Sequence, residues 1–176
     1  MKLEKDFEKI LDKCERLEKY EKDILITAFL SKKFSKQVLV GEAASSWYSR
    51  GGYRTMDVDV IVVGEVEELE KGLKKLGFEE NRVWHYSDAG FALDIVSRSG
   101  GPERTRTYEI DSYEIEIASP EDVIVNDLAG YKFWNQANDF DRAKLVYEAE
   151  KEDLDMEYLR ERAKEEKIDD ALRELL

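Results

Sequence analysis

The stretch from Leu39 to Val63, LVGEAASSWYSRGGYRTMDVDVIVV, constrains the fold more than any other part of this chain. It reads as a strand ending in glycine, a short helix, a glycine-rich turn and a second strand that opens with two aspartates. Gln37–Val40 is a short apolar run with β-branched residues, as a buried strand requires. Gly41 ends it. Ala43 to Arg50 suits two helical turns, and Gly51–Gly52 breaks them. From Met56 to Val63, Val58, Val60 and Val62 alternate with Asp57, Asp59 and Ile61. One face of that strand therefore begins acidic and turns apolar.

Two carboxylates two residues apart on a strand point the same way, about 6.6 Å apart along its axis. They repel unless a cation lies between them, and carboxylate oxygens suit a hard cation such as Mg2+ or Mn2+. A bare D-x-D more often marks a solvated strand end. Two features set this pair apart. It opens an otherwise apolar strand, and Asp94 has a similar setting in Ala92-Leu93-Asp94-Ile95-Val96. An unpaired acid inside an apolar strand is costly. If the strand Phe91–Ser97 lies beside Met56–Val63, then Asp57, Asp59 and Asp94 form one divalent-metal site.

Around this stretch the chain alternates helix and strand. Residues 3–34 read as helix, first amphipathic (Phe7, Ile10, Leu11, Cys14, Leu17) and then mostly apolar from Asp23. Val66 to Leu76 is a short amphipathic helix closed by Gly77. Phe78 to Tyr86 reads as one strand, and Asp111–Ser112 joins Thr107–Ile110 to Tyr113–Ile117 as a hairpin. Ser119-Pro120-Glu121-Asp122 is a helix start, with a serine cap, proline at the first position and acids in the first turn. Three or four helices follow. The expected fold class is α/β (α+β), a small mixed sheet with flanking helices, in two parts: residues 1–118 as the core and 119–176 as a helical region packed on it.

Composition narrows the function. The formal net charge is -13, which opposes a broad grip on nucleic acid, because phosphate neutralisation supplies most of that affinity. A small metal-shielded anion such as a nucleotide remains compatible. The single cysteine, Cys14, forms no internal disulfide and reads as inert packing. No run has membrane-spanning length, so a cytoplasmic location is expected. Trp47, Tyr48 and Tyr53 flank the proposed pocket, where an aromatic can stack on a base, although core packing is the commoner role. His85 is the only histidine and cannot make a histidine-based metal site alone. Arg98, Arg104 and Arg106 form a basic stretch that either meets phosphates or balances the acidic surface.

Three segments together, Val40-Gly41-Glu42, Met56-Asp57-Val58-Asp59-Val60 and Leu93-Asp94-Ile95, resemble the nucleotidyltransferase fold of the DNA polymerase beta superfamily. The run G-E-A-A and then Y-S-R-G-G-Y-R-T-M-D-V-D-V is most similar to small prokaryotic members, the minimal nucleotidyltransferases and the AbiEii-like proteins of toxin–antitoxin systems. The resemblance spans roughly residues 37–145, including S-P-E-D-V-I-V. It implies that Asp57 and Asp59 bind Mg2+, and that Asp94 binds metal and positions or serves as the base. It implies that Gly41 lets the backbone approach a triphosphate, with Ser45 or Ser46 as a phosphate contact and Arg54 either contacting phosphate or neutralising the acidic cluster. The implied reaction moves a nucleoside monophosphate from an NTP to a hydroxyl of a protein side chain, a tRNA end or a small molecule. Two positions depart from the pattern. Glu42 stands where relatives often have glycine or serine, and Asp127 where they often have lysine, with Lys132 as a candidate substitute. The alternative is therefore a catalytically degenerate member acting as an antitoxin-like or regulatory partner. Asp139 and Asp141 in N-D-F-D-R resemble a region that seats the helical part against the core, through a salt bridge or cap.

Overall fold

The N-terminal helical pattern forms two helices rather than one in the computed structural model, which describes residues 2–97 and 101–176. Helix α1 spans Lys2–Cys14 and α2 spans Lys19–Lys33. The break comes where Leu17 N–H donates to the Cys14 carbonyl at 3.2 Å. Glu21 then restarts the helix by accepting the Glu18 N–H at 3.1 Å. Burial pushes the Cys14 thiol up to about 11, which leaves it protonated and unreactive.

The strands are β1 (Lys36–Leu39), β2 (Val58–Val63), β3 (Glu79–Glu80), β4 (Trp84–Tyr86), β5 (Phe91–Ser97), β6 (Thr105–Ile110) and β7 (Tyr113–Ala118). They form one seven-stranded sheet in the order β3-β4-β5-β2-β1-β7-β6. It is mixed: β2 runs parallel to β5 and β1 parallel to β7, while the other pairs are antiparallel. The strand expected over Phe78–Tyr86 is instead two short strands. Asn81 N–H reaches the Val83 carbonyl at 3.1 Å and turns the chain between them. Strand β2 begins at Val58, not Met56, because the Thr55 hydroxyl donates to the Asp57 carbonyl at 2.8 Å and holds a bend there. The hairpin turn is as expected: Asp111 and Ser112 both have positive φ, 48° and 66°, as a two-residue type I′ turn demands.

Period-two alternation decides the two faces of the sheet. Val58, Val60, Val62, Leu39 and Leu93 are buried in one core with Phe29 and Leu30 of α2 and with Leu69 and Leu73 of α4 (Val66–Leu76). The opposite face of β2 carries Asp59 and Ile61, both half-buried. Gly77 ends α4 in the left-handed conformation at φ 89°.

Four helices follow the sheet: α5 (Pro120–Trp134), α6 (Ala137–Glu150), α7 (Met156–Glu165) and α8 (Asp169–Leu175). The Ser119 hydroxyl caps α5 by accepting the Asp122 N–H at 3.2 Å. The acids behind that cap join the helices to the sheet. Glu121 accepts from Arg106 of β6 at 3.2 Å. Asp122 accepts the Arg104 N–H at 2.8 Å and the Tyr158 hydroxyl of α7 at 2.8 Å. Leu159, Ile168 and Leu172 complete the same apolar core as the strands, so that core crosses residue 118 without a break. Among the described residues no helix is long and apolar enough to cross a membrane.

Candidate active site

Parallel pairing of β2 with β5 sets Asp59 directly opposite Asp94. Opposed residues of neighbouring strands share a face, so both carboxylates project from the same side, on backbones about 4.8 Å apart. Asp57 precedes them on the bend that leads into β2. Strand β1 supplies the floor on the other flank. The Val40 N–H donates to the Asp59 carbonyl at 3.0 Å, and helix α3 (Gly41–Tyr48) starts at once. Gly41 has φ +58°, and a Cβ built there would collide with the Asp59 carboxylate. The Glu42 N–H donates to Asp59 Oδ2 at 3.3 Å. The first turn of α3 and this carboxylate are thus fitted to each other, and Gly41 is required twice, for its φ and for its missing side chain. Gly41→Ala should lower stability by about 1–3 kcal/mol through backbone strain and displace Asp59, which urea unfolding will measure.

Burial pushes the Asp59 carboxyl up to about 6, and the negative charge of Asp57 adds most after it, with smaller contributions from Asp94 and Glu42; the Glu42 N–H works the other way. The three aspartates therefore share one field. Of the three, Asp59 lines a cavity of about 670 Å³ that runs from the β1–α3 turn to α5. Among the described residues no three His, Cys, Asp or Glu side chains are grouped so as to hold a metal ion. Backbone pairing brings the acids together, while their side chains are not gathered into a ligand set.

Behind Asp59 lies a second charged junction. Arg142 of α6 donates to Asp127 of α5 from Nε at 3.2 Å and from Nη2 at 2.7 Å. Its Nη1 donates to Glu42 at 2.8 Å, and Asp139 stands 3.1 Å from Nη2. Asp127 is 1% exposed, and burial pushes its carboxyl up to about 6 against the pull of Arg142. Asp139 seats α6 on α5, since a Cβ at Gly130 would collide with its carboxylate. The salt-bridge role expected for this aspartate is therefore what the structure shows.

Several expected phosphate contacts lie elsewhere. Ser45 is fully buried on the second turn of α3, where its hydroxyl donates to Asp127 at 3.1 Å. Ser46 is also buried, and neither serine lines the cavity. Lys132 points away from the carboxylates. Its ammonium donates to the Lys167 carbonyl at 2.6 Å and to Asp170 at 2.5 Å, tying α5 to α8. Arg54 is exposed on the turn before Thr55. Glu42, one of the two departures from the family pattern, is held by Arg142.

The flanking aromatics are packed. Trp47 stacks edge-on against Tyr108, the Tyr48 hydroxyl donates to the Ala118 carbonyl at 2.7 Å, and the Tyr53 ring lies 5.2 Å from the Arg142 guanidinium. His85 sits on β4, two strands from Asp59. Arg104 and Arg106 pair with Asp155, Glu121 and Glu150, which balances acidic surface, while Arg98 lies outside the described residues. Two features near the site were not evident in the sequence. Arg142 was hidden behind the aspartates of N-D-F-D-R, although its i,i+3 spacing from Asp139 marks the pair. Trp134, at the end of α5, lines the cavity and is 68% exposed.

The seven-stranded mixed sheet with its flanking helices is a mixed α/β fold of nucleotidyltransferase-like type. The structure is similar to the crystal structure of an antigenic nucleotidyltransferase-like protein from Paracoccidioides brasiliensis, with a TM-score of 0.58 over 90% of this chain and 94% of that one. Sequence identity is 14%, so the likeness is one of fold. No protein-family model and no curated protein matches the sequence.

Proposed function

We propose that this chain is a divalent-metal-dependent nucleotidyltransferase of the small prokaryotic kind, transferring a nucleoside monophosphate from an NTP to a hydroxyl. The observation that carries the reading is the register match of Asp59 with Asp94 beside the Gly41 turn, at a cavity of about 670 Å³. That volume suits a nucleotide-sized ligand. Asp57, Asp59 and Asp94 would hold Mg2+ or Mn2+. All three offer hard oxygen donors, and the Asp59 carboxyl, pushed up by burial and then by the charge of Asp57, gains from a cation beside it. The side chains have to close on the ion, because no ligand set is gathered beforehand. When bound, such an ion neutralises phosphate charge and polarises the α-phosphorus.

The chain's own residues do the rest. Gly41 lines the cavity and would let triphosphate oxygens approach the backbone beside the Asp59 carboxylate, and exposed Arg54, three residues before Asp57, would be a phosphate contact. Asp94 would hold the acceptor hydroxyl and take its proton. The acceptor oxygen then bonds to the α-phosphorus, the bond from that phosphorus to the bridging oxygen breaks, and pyrophosphate leaves with the electron pair. Acceptor candidates are a protein side chain, a tRNA end or a small molecule.

The ungathered ligands favour a second reading, a catalytically degenerate member that acts as an antitoxin-like or regulatory partner of another protein. Calorimetric titration of each NTP with and without Mg2+ separates the two. Under the first reading the native chain binds only with Mg2+, and Asp57→Asn/Asp59→Asn lowers that affinity by about 100-fold or more, as loss of two charged ligands should. No Mg2+-dependent binding by the folded native chain would sink the first reading and leave the second.

A further inference from the structure

We propose that Trp134 is the platform on which the nucleobase stacks, and that the cavity consequently prefers purine nucleotides; this rests on the nucleotidyltransferase reading above. The sheet gives the cavity a direction. Ile61 follows Asp59 by two residues on β2, and Val96 follows Asp94 by two on β5. The two strands are parallel, so both apolar side chains lie on the same side of the carboxylates, about two strand residues, or 6–7 Å, further on. The register shifts between Val60 and Ile61, which sets Ile61 opposite Ser97 and makes Val96 the extra residue. Ile61 and Val96 nevertheless both line the cavity. Along the sheet wall the lining therefore runs from the Asp59 carboxylate to Ile61 and Val96, while Glu103, Asp122, Asp127 and Glu166 add carboxylates on the other walls.

Trp134 lines the same cavity from the α5 wall. The helix stops at this residue because Asn135 takes a left-handed φ of 54°, which turns the chain away and leaves the indole at the rim. Trp134 is 68% exposed and Val96 49%, both among the exposed large apolar side chains described. Single exposed apolar residues are ordinary on a protein surface. Here two of them border the cavity that Asp59 also lines, and among the described residues the Trp134 indole has no ring partner or hydrogen bond. A nucleoside triphosphate has a part for each feature, anionic phosphates for a cation held at Asp59 and a flat π-system for the exposed indole. An indole face accepts any base, and purines, with the larger ring area, stack better.

The test measures binding of Mg2+ with ATP, with CTP and with inorganic tripolyphosphate to the native chain, Trp134→Ala and Trp134→Phe, by calorimetry and tryptophan fluorescence. Trp84 is buried and Trp47 is packed on Tyr20 and Tyr108, which makes Trp134 the exposed reporter. Expected is a loss of ATP affinity of about 10- to 100-fold in Trp134→Ala, the usual range for a stacked base. Trp134→Phe should recover most of it, and tripolyphosphate should bind all three forms alike. ATP should bind the native chain more tightly than CTP and quench its fluorescence, and both differences should vanish in Trp134→Ala. Unchanged ATP affinity in Trp134→Ala, with tripolyphosphate still bound, would overturn the stacking role and leave the metal-site reading standing. Failure of both ATP and tripolyphosphate to bind the native chain would overturn both.

Discussion

Arg142→Met is expected to destabilise the folded chain by about 3–5 kcal/mol, the range for removing one partner of a buried ion pair. Methionine keeps most of the side-chain volume and removes the cation. Asp127 and Asp139, both nearly inaccessible, then face each other without a countercharge, and Glu42 loses its partner on α6. The chain has one escape, which is to protonate Asp127. Its carboxyl is already pushed up to about 6 with Arg142 in place, and loss of the guanidinium pushes it higher. The defect should therefore be smaller at pH 5, where Asp127 is neutral, and larger at pH 8, where it must ionise or hold a proton against the solvent. Urea unfolding at the two pH values checks this. Asp127→Asn in the Arg142→Met background should recover part of the loss, because it removes the buried charge. A loss below about 1 kcal/mol at both pH values would be a surface-pair result and would show that Arg142 does not hold this junction.

Asp59→Asn should move stability and metal binding in opposite directions. The folded-state carboxyl sits at about 6 against an ordinary value of 3.8. A raised acid binds its proton more tightly in the folded chain. Its penalty is thus absent below the ordinary value, grows as the pH rises, and is complete above about 6. Asparagine keeps the shape and can still accept the Glu42 N–H, but carries no charge against Asp57 and Asp94. The variant should be more stable than the native chain by about 1–2 kcal/mol at pH 8, after allowance for partial exposure, and no more stable at pH 4. Mg2+ should raise the native melting temperature and leave the variant's unchanged. In the native chain the Mg2+ affinity should fall about tenfold per pH unit once Asp59 protonates, as expected for one proton competing with the ion. Melting curves across pH, with and without Mg2+, read all of this. An asparagine variant less stable than the native chain at pH 8, or equally stabilised by Mg2+, would mean that the strained carboxylate is not held for a cation. Such a gain in stability on losing a group marks a residue kept for function.

Much of this architecture is legible residue by residue. Alternation of Val58, Val60 and Val62 with Asp59 and Ile61 requires a strand with one buried face, because successive side chains of a strand point to opposite sides. The Ser119-Pro120 cap, the Asp111–Ser112 turn and the glycine that ends α4 are equally local, since each is dictated by the conformational preferences of one or two residues. The two-residue spacing of the first aspartates, and the apolar context of Asp94, are likewise visible before any fold is known. What lay beyond reach is which surfaces meet. Glu42 and Arg142 are 100 residues apart, and Ser45 and Asp127 are 82 apart. Nothing near Ser45 distinguishes a hydroxyl that binds phosphate from one that serves a buried carboxylate. Lys132 reads as a spare cation until α8 brings Asp170 to it. Trp134 reads as the tail of a helix until β2 and β5 place Ile61 and Val96 across a cavity from it. Local backbone preference and side-chain period are written in neighbouring residues and were determined by sequence. Ion-pair partners, burial and cavity walls depend on packing between distant segments, and only the tertiary structure decided them.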